Sequence, residues 1–396
     1  MWLHNHLYKK IIMSKRKVAV VVTARPTYSR IKTALKAIDQ HAELELQLVV
    51  AGSALLNRYG SIIDYIEADG FKISERIYNV LEGENPTSMA KTTGLGIMEL
   101  ATAFQNLEPD VVVTVADRFE TISTAIAASF MNIPLVHVQG GEVTGNIDEK
   151  VRHAITKLAD THFVANEDAR ERVIKMGEVA EKVYVTGCPS IDLAAEISHA
   201  KKEFNPFEKY SGVGNLFDFS NGYLVVMQHP VTTEYQEAKN QVTQLLEIVH
   251  ELDYPTFWFW PNVDAGSDGT SNGIRTYREF NTLPNIHFFK NMEGMDFLQL
   301  IKQSKCLVGN SSVGIREASY LGVPVVNIGK RQNRRLRGEN VVDVNHDAAQ
   351  IKKAILDQIK ISKYDSELLY GDGKAGETIA DLLVKIDLSI EKVIQY

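Results

Sequence analysis

Short apolar runs rich in β-branched residues alternate with longer segments of helical periodicity along most of the chain. The runs are mostly continuous rather than alternating with polar residues, which is typical of parallel strands covered on both faces. The first half predicts strands at 18–22, 46–50, 111–115, 135–138, 163–165 and 183–186. The second half predicts strands at 223–227, 256–259, 286–288, 306–308, 323–328 and 341–344.

Helical periodicity fills the intervals between these runs. The clearest segments are 29–39, 89–106, 118–131 and 149–158. Strand–helix–strand repetition on this scale indicates doubly wound α/β units. A less patterned stretch, 198–221, separates two such series, so we expect two Rossmann-like parallel-sheet domains that face a central cleft. We place them at residues 14–200 and 201–374, with a C-terminal helix at 375–396 that joins the first domain.

Composition narrows the class of protein. A chain of 396 residues exceeds one domain of about 150 residues. Its 44% hydrophobic and 23% charged residues exclude a largely disordered chain. A formal net charge of -7 argues against a nucleic-acid partner. Only Cys188 and Cys306 are cysteines, which excludes a disulfide scaffold or a four-cysteine metal site and fits a reducing compartment.

The chain gives no membrane or export signal. No apolar run approaches the roughly 20 residues that cross a bilayer. The first 17 residues lack the apolar core and small-residue cleavage site of a signal peptide. Met13 is a second possible start, which would make the residues before it an upstream extension. We therefore expect a cytoplasmic protein with no membrane partner.

Ligands of open α/β sheets bind beyond the carboxyl ends of strands, so the residues that follow each strand carry the candidate chemistry. Arg25 follows the first strand and could hold an anion beside a helix start, or lie in a solvated loop. No GxGxxG sequence occurs there, so nicotinamide dinucleotide binding is not supported. Asp117 follows the third strand and could cap a helix that begins at Arg118, or act as a catalytic carboxylate.

The densest stretch of polar residues follows the fourth strand. Two adjacent glycines, 140 and 141, indicate a tight turn or close backbone approach to a ligand. Glu142, Asp148 and Glu149 then bring three carboxylates to one loop and helix start. A favourable first helical turn accounts for Asp148 and Glu149 but not for Glu142, which favours a functional role there.

The second series of strands carries a histidine and a turn of small residues. His229 comes directly after a strand, where imidazole suits proton transfer or phosphate contact, although such a histidine is more often structural. The turn at 309–314 would let backbone amides approach a diphosphate, and Glu317 could accept from both hydroxyls of a ribose. A helix-capping role would explain Ser311 but not the other small residues of this turn. The basic loop 329–337 that follows indicates anion capture in an otherwise acidic chain.

Together these motifs resemble the hydrolysing UDP-N-acetylglucosamine 2-epimerases of sialic acid biosynthesis, from about residue 17 to the C-terminal helix. The most specific segments are 116–120, 140–142, 147–149, 152–157, 229–233, 309–312 and 316–317. The resemblance implies a GT-B-like fold with the nucleotide held mainly by the second domain. It implies a UDP-sugar substrate and UDP product as partners, no cofactor and no obligatory metal.

The resemblance also implies a reaction. A base removes the proton at C2 of the sugar while UDP leaves C1, and water adds to the resulting 2-acetamidoglucal to give N-acetylmannosamine. The implied catalytic residues are Asp117, Glu142, Asp148, Glu149 and His229; which carboxylate takes the C2 proton stays open. The implied substrate-binding residues are Arg25, Ser29, Arg118, Gln139, Arg152, His229, Asn310, Ser311, Ser312, Gly314, Glu317 and Arg331.

Gln139 departs from the pattern, because several relatives carry a glutamate there and an amide cannot serve as a base. Either Glu142 supplies the acid/base function or Gln139 marks a different sugar preference. The loop at 23–28 also differs from the more usual Gly-Thr-Arg start.

Four other activities fit parts of the pattern: a hydrolysing epimerase of a UDP-2,4-diacetamido-trideoxy sugar in the legionaminic acid pathway, a non-hydrolysing epimerase, a GT-B glycosyltransferase, and a noncatalytic nucleotide-sugar sensor. The Gly-Gly-Glu142 loop resembles the hydrolysing branch, and a transferase would need no carboxylates around C2. By analogy with relatives we expect a homo-oligomer, either a dimer or a tetramer.

Overall fold

The computed structural model describes residues 15–56, 62–82, 85–143, 147–200, 205–261 and 266–395. The expectations about the first 13 residues and about the loop at 144–146 lie outside these ranges. Within them the strands form two sheets of seven, which confirms the predicted fold class of two doubly wound α/β units.

The first sheet contains β1 (Arg16–Val22), β2 (Leu44–Ala51), β3 (Ile73–Ile77), β4 (Val111–Val115), β5 (Leu135–Val138), β6 (Thr161–Val164) and β7 (Val183–Val185), in the order β3-β2-β1-β4-β5-β6-β7. All its pairs are parallel. Its helices are α1 (Arg25–Ser29), α2 (Lys32–Gln40), α3 (Ile62–Ala68), α4 (Pro86–Leu107), α5 (Thr121–Phe130), α6 (Ile147–Leu158), α7 (Glu167–Lys175) and α8 (Pro189–His199).

The second sheet contains β8 (Val213–Gly214), β9 (Leu224–Met227), β10 (Thr256–Phe259), β11 (Ile286–Phe289), β12 (Cys306–Gly309), β13 (Val325–Ile328) and β14 (Val341–Val344), in the order β14-β13-β12-β9-β10-β11-β8. Only β8 pairs antiparallel among these strands. The helices of this lobe are α9 (Pro206–Lys209), α10 (Ala238–Leu252), α11 (Ser267–Phe280), α12 (Gly294–Gln303), α13 (Ser312–Ile315), α14 (Glu317–Tyr320) and α15 (Ala348–Gln358). The last helix in the chain is α16 (Ala375–Lys385).

The strand orders decide which loops meet. In the first sheet β1, β4 and β5 are neighbours, so the loops that follow them lie side by side beyond one edge. In the second sheet β9 and β12 are neighbours, which brings the histidine loop beside the small-residue turn. The candidate residues of each lobe are therefore clustered by topology before any side chain is considered.

Helix α16 belongs with the first sheet. It packs along α2, and its Ile379 and Leu383 are fully buried in one cluster with Val18 and Val20 of β1. The helix ends at Lys385 rather than at 396, because Ile386 adopts an extended conformation. Beyond it the backbone bonds to other parts of the lobe instead, with the amide of Gln395 donating to the carbonyl of Gly177 at 3.0 Å.

Three further differences from the expected elements have local causes. The interval predicted as one helix at 29–39 contains two helices, because the backbone leaves the helical path at Ile31. The helix expected from residue 118 begins at Thr121. Strands β3 and β8 were not predicted, since β3 carries charged residues on a partly exposed edge and β8 has two residues.

No helix in the described part of the chain combines the length and apolarity needed to span a membrane.

Candidate active site

A cavity lies between the two lobes at the carboxyl ends of their central strands. The first lobe contributes Arg25, Tyr28, Ser29, Arg30 and Lys32, and the second contributes Met227, His229, Phe259, Met292, Phe297, Ser311, Ser312 and Glu317, among others. A smaller cavity adjoins it and is lined by Pro26, Arg30, Asp117, Arg118, Asp148, His229, Ser311, Ser312, Arg331, Gln332 and Arg335. Because the two cavities share lining residues, they form one continuous candidate site.

Asp117 is buried at the end of β4, where Ala116 turns the chain through a left-handed conformation with φ of 63°. Its carboxylate accepts hydrogen bonds from Arg152 and, at 3.2 Å, from Arg30 Nη1. The alternative interpretation, that Asp117 caps a helix beginning at Arg118, is wrong because α5 starts at Thr121 with Glu120 as the preceding residue. Asp117 lines the smaller cavity.

Arg30 connects the two lobes and was not among the predicted site residues. One terminal nitrogen donates to Asp117 and the other to Ser312 Oγ at 3.3 Å. Burial, with the nearby charges of Arg316 and Arg335, lowers the pKa of Arg30 to about 9. An arginine within a helical interval gives no local signal of this kind; only its position soon after β1 pointed toward the site.

Glu142 is fixed by guanidinium groups of the opposite lobe. Its Oε2 accepts from Arg316 Nη2 at 2.5 Å and from Arg335 Nη2 at 2.7 Å, and all three side chains are buried. Burial alone would raise the pKa of Glu142, but the charges of Arg316 and Arg335 outweigh it and hold the pKa at about 2. The main-chain carbonyl of Glu142 accepts from Arg152 at 2.9 Å, which links it to the arginine that binds Asp117.

Gln139 supports the same group of arginines from behind the cavity wall. It has a left-handed backbone with φ of 65° directly after β5, and it is buried. Its Oε1 accepts from Arg316 Nη1 at 3.2 Å, and its Nε2 lies 2.9 Å from Cys188 Sγ. The amide therefore contacts Arg316 without adding a second negative charge beside Glu142.

In the second lobe Asn310 ties three loops together. Its side-chain amide pairs with both backbone polar groups of His229, at 2.8 Å each. Its own carbonyl accepts from Gln332 at 2.9 Å and from Arg331 at 3.2 Å. Asn310 thus places His229 and Arg331 rather than lining the cavity itself.

The small-residue turn has both capping and ligand-facing atoms. Ser311 caps α13, its Oγ accepting from the amide of Val313 at 3.4 Å. Glu317 is buried in the cavity wall, and its Oε2 has no hydrogen-bond partner among the described residues. A buried carboxylate oxygen without a donor is costly, which suits an acceptor that a ligand completes.

The remaining expectations divide by position. The cavities bring together Arg25, Ser29, Asp117, Arg118, Asp148, His229, Ser311, Ser312, Glu317 and Arg331. Gln139, Glu142, Arg152 and Asn310 lie one layer behind them. Gly314 differs from expectation because it faces the core, where an added Cβ would lie 2.9 Å from Val325 Cγ1. Glu149 pairs with His153 on α6 at 3.5 Å instead of lining either cavity.

Comparison with known proteins shows what the chain is similar to. The model of the UDP-N-acetylglucosamine 2-epimerase family matches residues 36–384. A Legionella pneumophila protein named UDP-N,N'-diacetylbacillosamine 2-epimerase (hydrolyzing) is 33% identical over 94% of this chain and 97% of its own. A Neisseria meningitidis serogroup B protein named UDP-N-acetylglucosamine 2-epimerase is 28% identical over 90% of this chain and 91% of its own.

A solved structure shares the fold. The crystal structure of a Neisseria meningitidis UDP-GlcNAc 2-epimerase bound to UDP-GlcNAc superposes with a TM-score of 0.76 and 19% identity, covering 93% of this chain and 100% of that one.

Proposed function

The chain belongs to the UDP-N-acetylglucosamine 2-epimerase family, and from that premise we propose that it is the hydrolysing enzyme that converts UDP-N-acetylglucosamine to N-acetylmannosamine and UDP. In our proposal the nucleotide occupies the larger cavity and the sugar occupies the smaller one.

One observation carries the proposal: a single guanidinium, that of Arg30, contacts both Asp117 and Ser312. In the substrate C2 adjoins C1, and C1 carries the diphosphate. A base for the C2 proton must therefore lie within hydrogen-bond reach of the proton and close to the group that holds the leaving phosphate. The contact of Arg30 with both Asp117 on the first lobe and Ser312 on the second supports Asp117 as this base.

The proposed chemistry uses this juxtaposition. Asp117 takes the C2 proton as the bond between C1 and the diphosphate oxygen breaks, and the electron pair of the C2–H bond forms the double bond of 2-acetamidoglucal. Arg25, His229, Ser312 and Arg331 stabilise the charge that develops on UDP. Water then adds across the double bond, with Asp148 in the same cavity as the second acid/base group.

Glu142 has a positioning role in this proposal, which replaces the expectation that it transfers protons. A carboxylate with a pKa of about 2, held by Arg316 and Arg335, stays ionised at neutral pH and is a weak base. Its backbone contact with Arg152 orients the guanidinium that binds Asp117. Gln139 fits this role, because a glutamate there would compete with Glu142 for Arg316.

Glu317 and the apolar side chains of the larger cavity would bind the uridine. The unsatisfied Oε2 of Glu317 can accept from a ribose hydroxyl. Phe259, Met292 and Phe297 supply apolar surface for the base.

UDP-N,N'-diacetylbacillosamine is the second candidate substrate. The observation in its favour is the higher identity to the Legionella pneumophila relative named for that sugar, 33% against 28% for the Neisseria meningitidis relative. Both substrates carry the 2-acetamido group and the diphosphate, so the same acid/base arrangement serves either one.

Product analysis by NMR, with each sugar nucleotide supplied separately, tests the proposal. Free UDP together with N-acetylmannosamine from UDP-N-acetylglucosamine supports it, and faster release of the corresponding product from UDP-N,N'-diacetylbacillosamine selects the second candidate. Recovery of UDP-N-acetylmannosamine, turnover only with an added acceptor, or binding without turnover would each contradict a hydrolysing epimerase.

A further inference from the structure

A third cavity, the outer cavity, has a volume of about 720 Å³ and is lined by residues of the basic loop 329–337. Its volume falls within the roughly 300–1,000 Å³ of small-molecule sites. The charged side chains that line it are Arg172, Lys330, Arg334, Arg335, Arg337, Asp168 and Asp343. The basic residues of the loop therefore line different cavities. Arg331 lines the smaller active-site cavity, whereas Lys330 and Arg334 line the outer cavity.

The balance of charge in this outer cavity is positive, although the whole chain carries -7. Arg172 pairs with Asp168 at 2.9 Å, and Arg337 pairs with Asp343. Lys330 lies 3.7 Å from Glu234, and both it and Arg334 are exposed. The Arg334 side chain has no ion pair or hydrogen bond with any residue that the structure describes, so cationic capacity is left over.

The backbone at Arg334 is held in the left-handed region, with φ of 61°. That conformation is uncommon for residues other than glycine, asparagine and aspartate. Residues held in such strained backbone conformations cluster at active sites and ligand sites. In the outer cavity this strained backbone belongs to Arg334, whose guanidinium has no acidic partner among the described residues.

Two arginines of the outer cavity also hold the loop that carries Glu142. Arg335 lines both the outer cavity and the smaller active-site cavity, and it binds the Glu142 carboxylate. Arg172 donates to the carbonyl of Gly141, the preceding residue. An anion in the outer cavity would therefore act on both supports of this loop.

From these observations we propose that the outer cavity is a second binding site, for a phosphate-bearing small molecule such as a nucleotide or a sugar phosphate. A bound phosphate competes with Glu142 for Arg335, loosens the contact between the lobes and lowers turnover. The effect on turnover rests on the proposed function, whereas the binding site does not.

Calorimetry tests the site without requiring turnover. Inorganic pyrophosphate is titrated into the full chain saturated with UDP, so that the active site is already filled. We expect one further pyrophosphate to bind to the wild type. The double variant Lys330→Ala, Arg334→Asn should weaken this binding at least tenfold without changing the UDP affinity or the melting temperature. Asparagine is chosen because it tolerates the left-handed backbone.

The matched control removes two exposed lysines from the opposite lobe, Lys36→Ala with Lys385→Ala, and it should bind pyrophosphate like the wild type. Equal affinity in the site variant and the wild type, or no binding to the UDP-saturated wild type, would overturn the proposal. Adenosine monophosphate and glucose 1-phosphate, titrated in the same way, distinguish a nucleotide from a sugar phosphate, and binding of either supports the site.

Turnover provides the second readout. At saturating UDP-sugar, pyrophosphate should inhibit the wild type saturably and should inhibit the double variant at least tenfold more weakly. Inhibition that excess UDP-sugar abolishes would place pyrophosphate in the active site and contradict the proposed coupling.

Discussion

Asp117 and Glu142 are both buried carboxylates bound by arginines, but they differ in whether they line the cavity. Asp117 lines the smaller cavity, whereas Glu142 lies behind its wall between Arg316 and Arg335. Two carboxylates in different environments can serve different roles in one reaction, and we assign proton transfer to the one that reaches the cavity.

Replacing Asp117 by asparagine keeps its size and removes its basicity. We expect Asp117→Asn to lower kcat about 10²–10⁴-fold, the usual contribution of a general base, with UDP affinity changed little. Steady-state kinetics and UDP calorimetry measure the two effects. Asp39→Asn, on the exposed end of α2, is the control and should behave as wild type; near wild-type kcat in Asp117→Asn would remove Asp117 from the reaction.

Glu142→Gln leaves two buried guanidiniums without their shared counter-charge. Breaking a buried ion pair from one side costs about 3–5 kcal/mol, so we expect a clear loss in the free energy of unfolding. Urea denaturation measures it, with the exposed Glu171→Gln as the control.

The pH profile of Glu142→Gln separates positioning from proton transfer. The residual kcat/KM should keep the wild-type pH dependence, because a positioning carboxylate is ionised throughout the working range. Loss of one limb of the profile would show instead that Glu142 titrates in the reaction.

Among single residues, the sequence predicted several that line the two adjoining cavities. Asp117, Ser312 and Glu317 were found because each follows a strand whose end faces the cleft. Arg30 was missed, and the arginines that bind Glu142 were not predicted, since these partners are far away in the chain: Glu142 and Arg316 are 174 residues apart.

Among the secondary-structure elements, α16 shows how a distant segment completes a core. Its Leu383 is fully buried among residues of β1 and α2. Truncating a buried leucine to alanine costs about 2–5 kcal/mol, so Leu383→Ala should lower the free energy of unfolding by that amount. Leu368→Ala, at a residue 60% exposed, is the matched control; equal stability of the two variants would mean that α16 is not docked.

Strand β5 carries a buried histidine that links stability to pH. Burial lowers the pKa of His137 to about 3, and its ring contacts Thr156 and the carbonyl of Ala116. Between pH 6.5 and 3 the unfolded chain binds this proton and the folded chain does not, so acid favours unfolding.

We therefore expect His137 to contribute a stability loss of up to about 1.4 kcal/mol per pH unit as pH falls below 6.5. Urea titrations at pH 7, 6 and 5 measure the slope. His137→Gln should have a shallower slope, and an unchanged slope would show that other groups cause it.

Element prediction succeeded where the pattern was strong. Continuous apolar runs such as β4 were located to the residue, because burial on both faces leaves a dense signal. The end of α16 was not predicted correctly. After Lys385 the chain forms hydrogen bonds with distant residues of the first lobe instead of continuing the helix.

Among the described residues, the side-chain contacts that cross the cleft between the lobes include Glu142 with Arg316 and Arg335, Arg30 with Ser312, and Arg25 with Asn291. Alternation of strands and helices predicted two α/β units and a cleft. It could not predict how the lobes are joined, since that depends on pairings between residues distant in sequence. The same contacts bring the proposed base next to the proposed diphosphate site.

The central claim is that a carboxylate of one lobe removes the C2 proton beside a diphosphate held by the other. The most direct test is turnover of UDP-N-acetylglucosamine in heavy water, with the released sugar analysed by NMR and mass spectrometry. The account predicts N-acetylmannosamine with one solvent deuterium at C2, and no such product from Asp117→Asn on the same timescale. Product that retains its original hydrogen at C2, or deuterated product formed by Asp117→Asn at the wild-type rate, would contradict it.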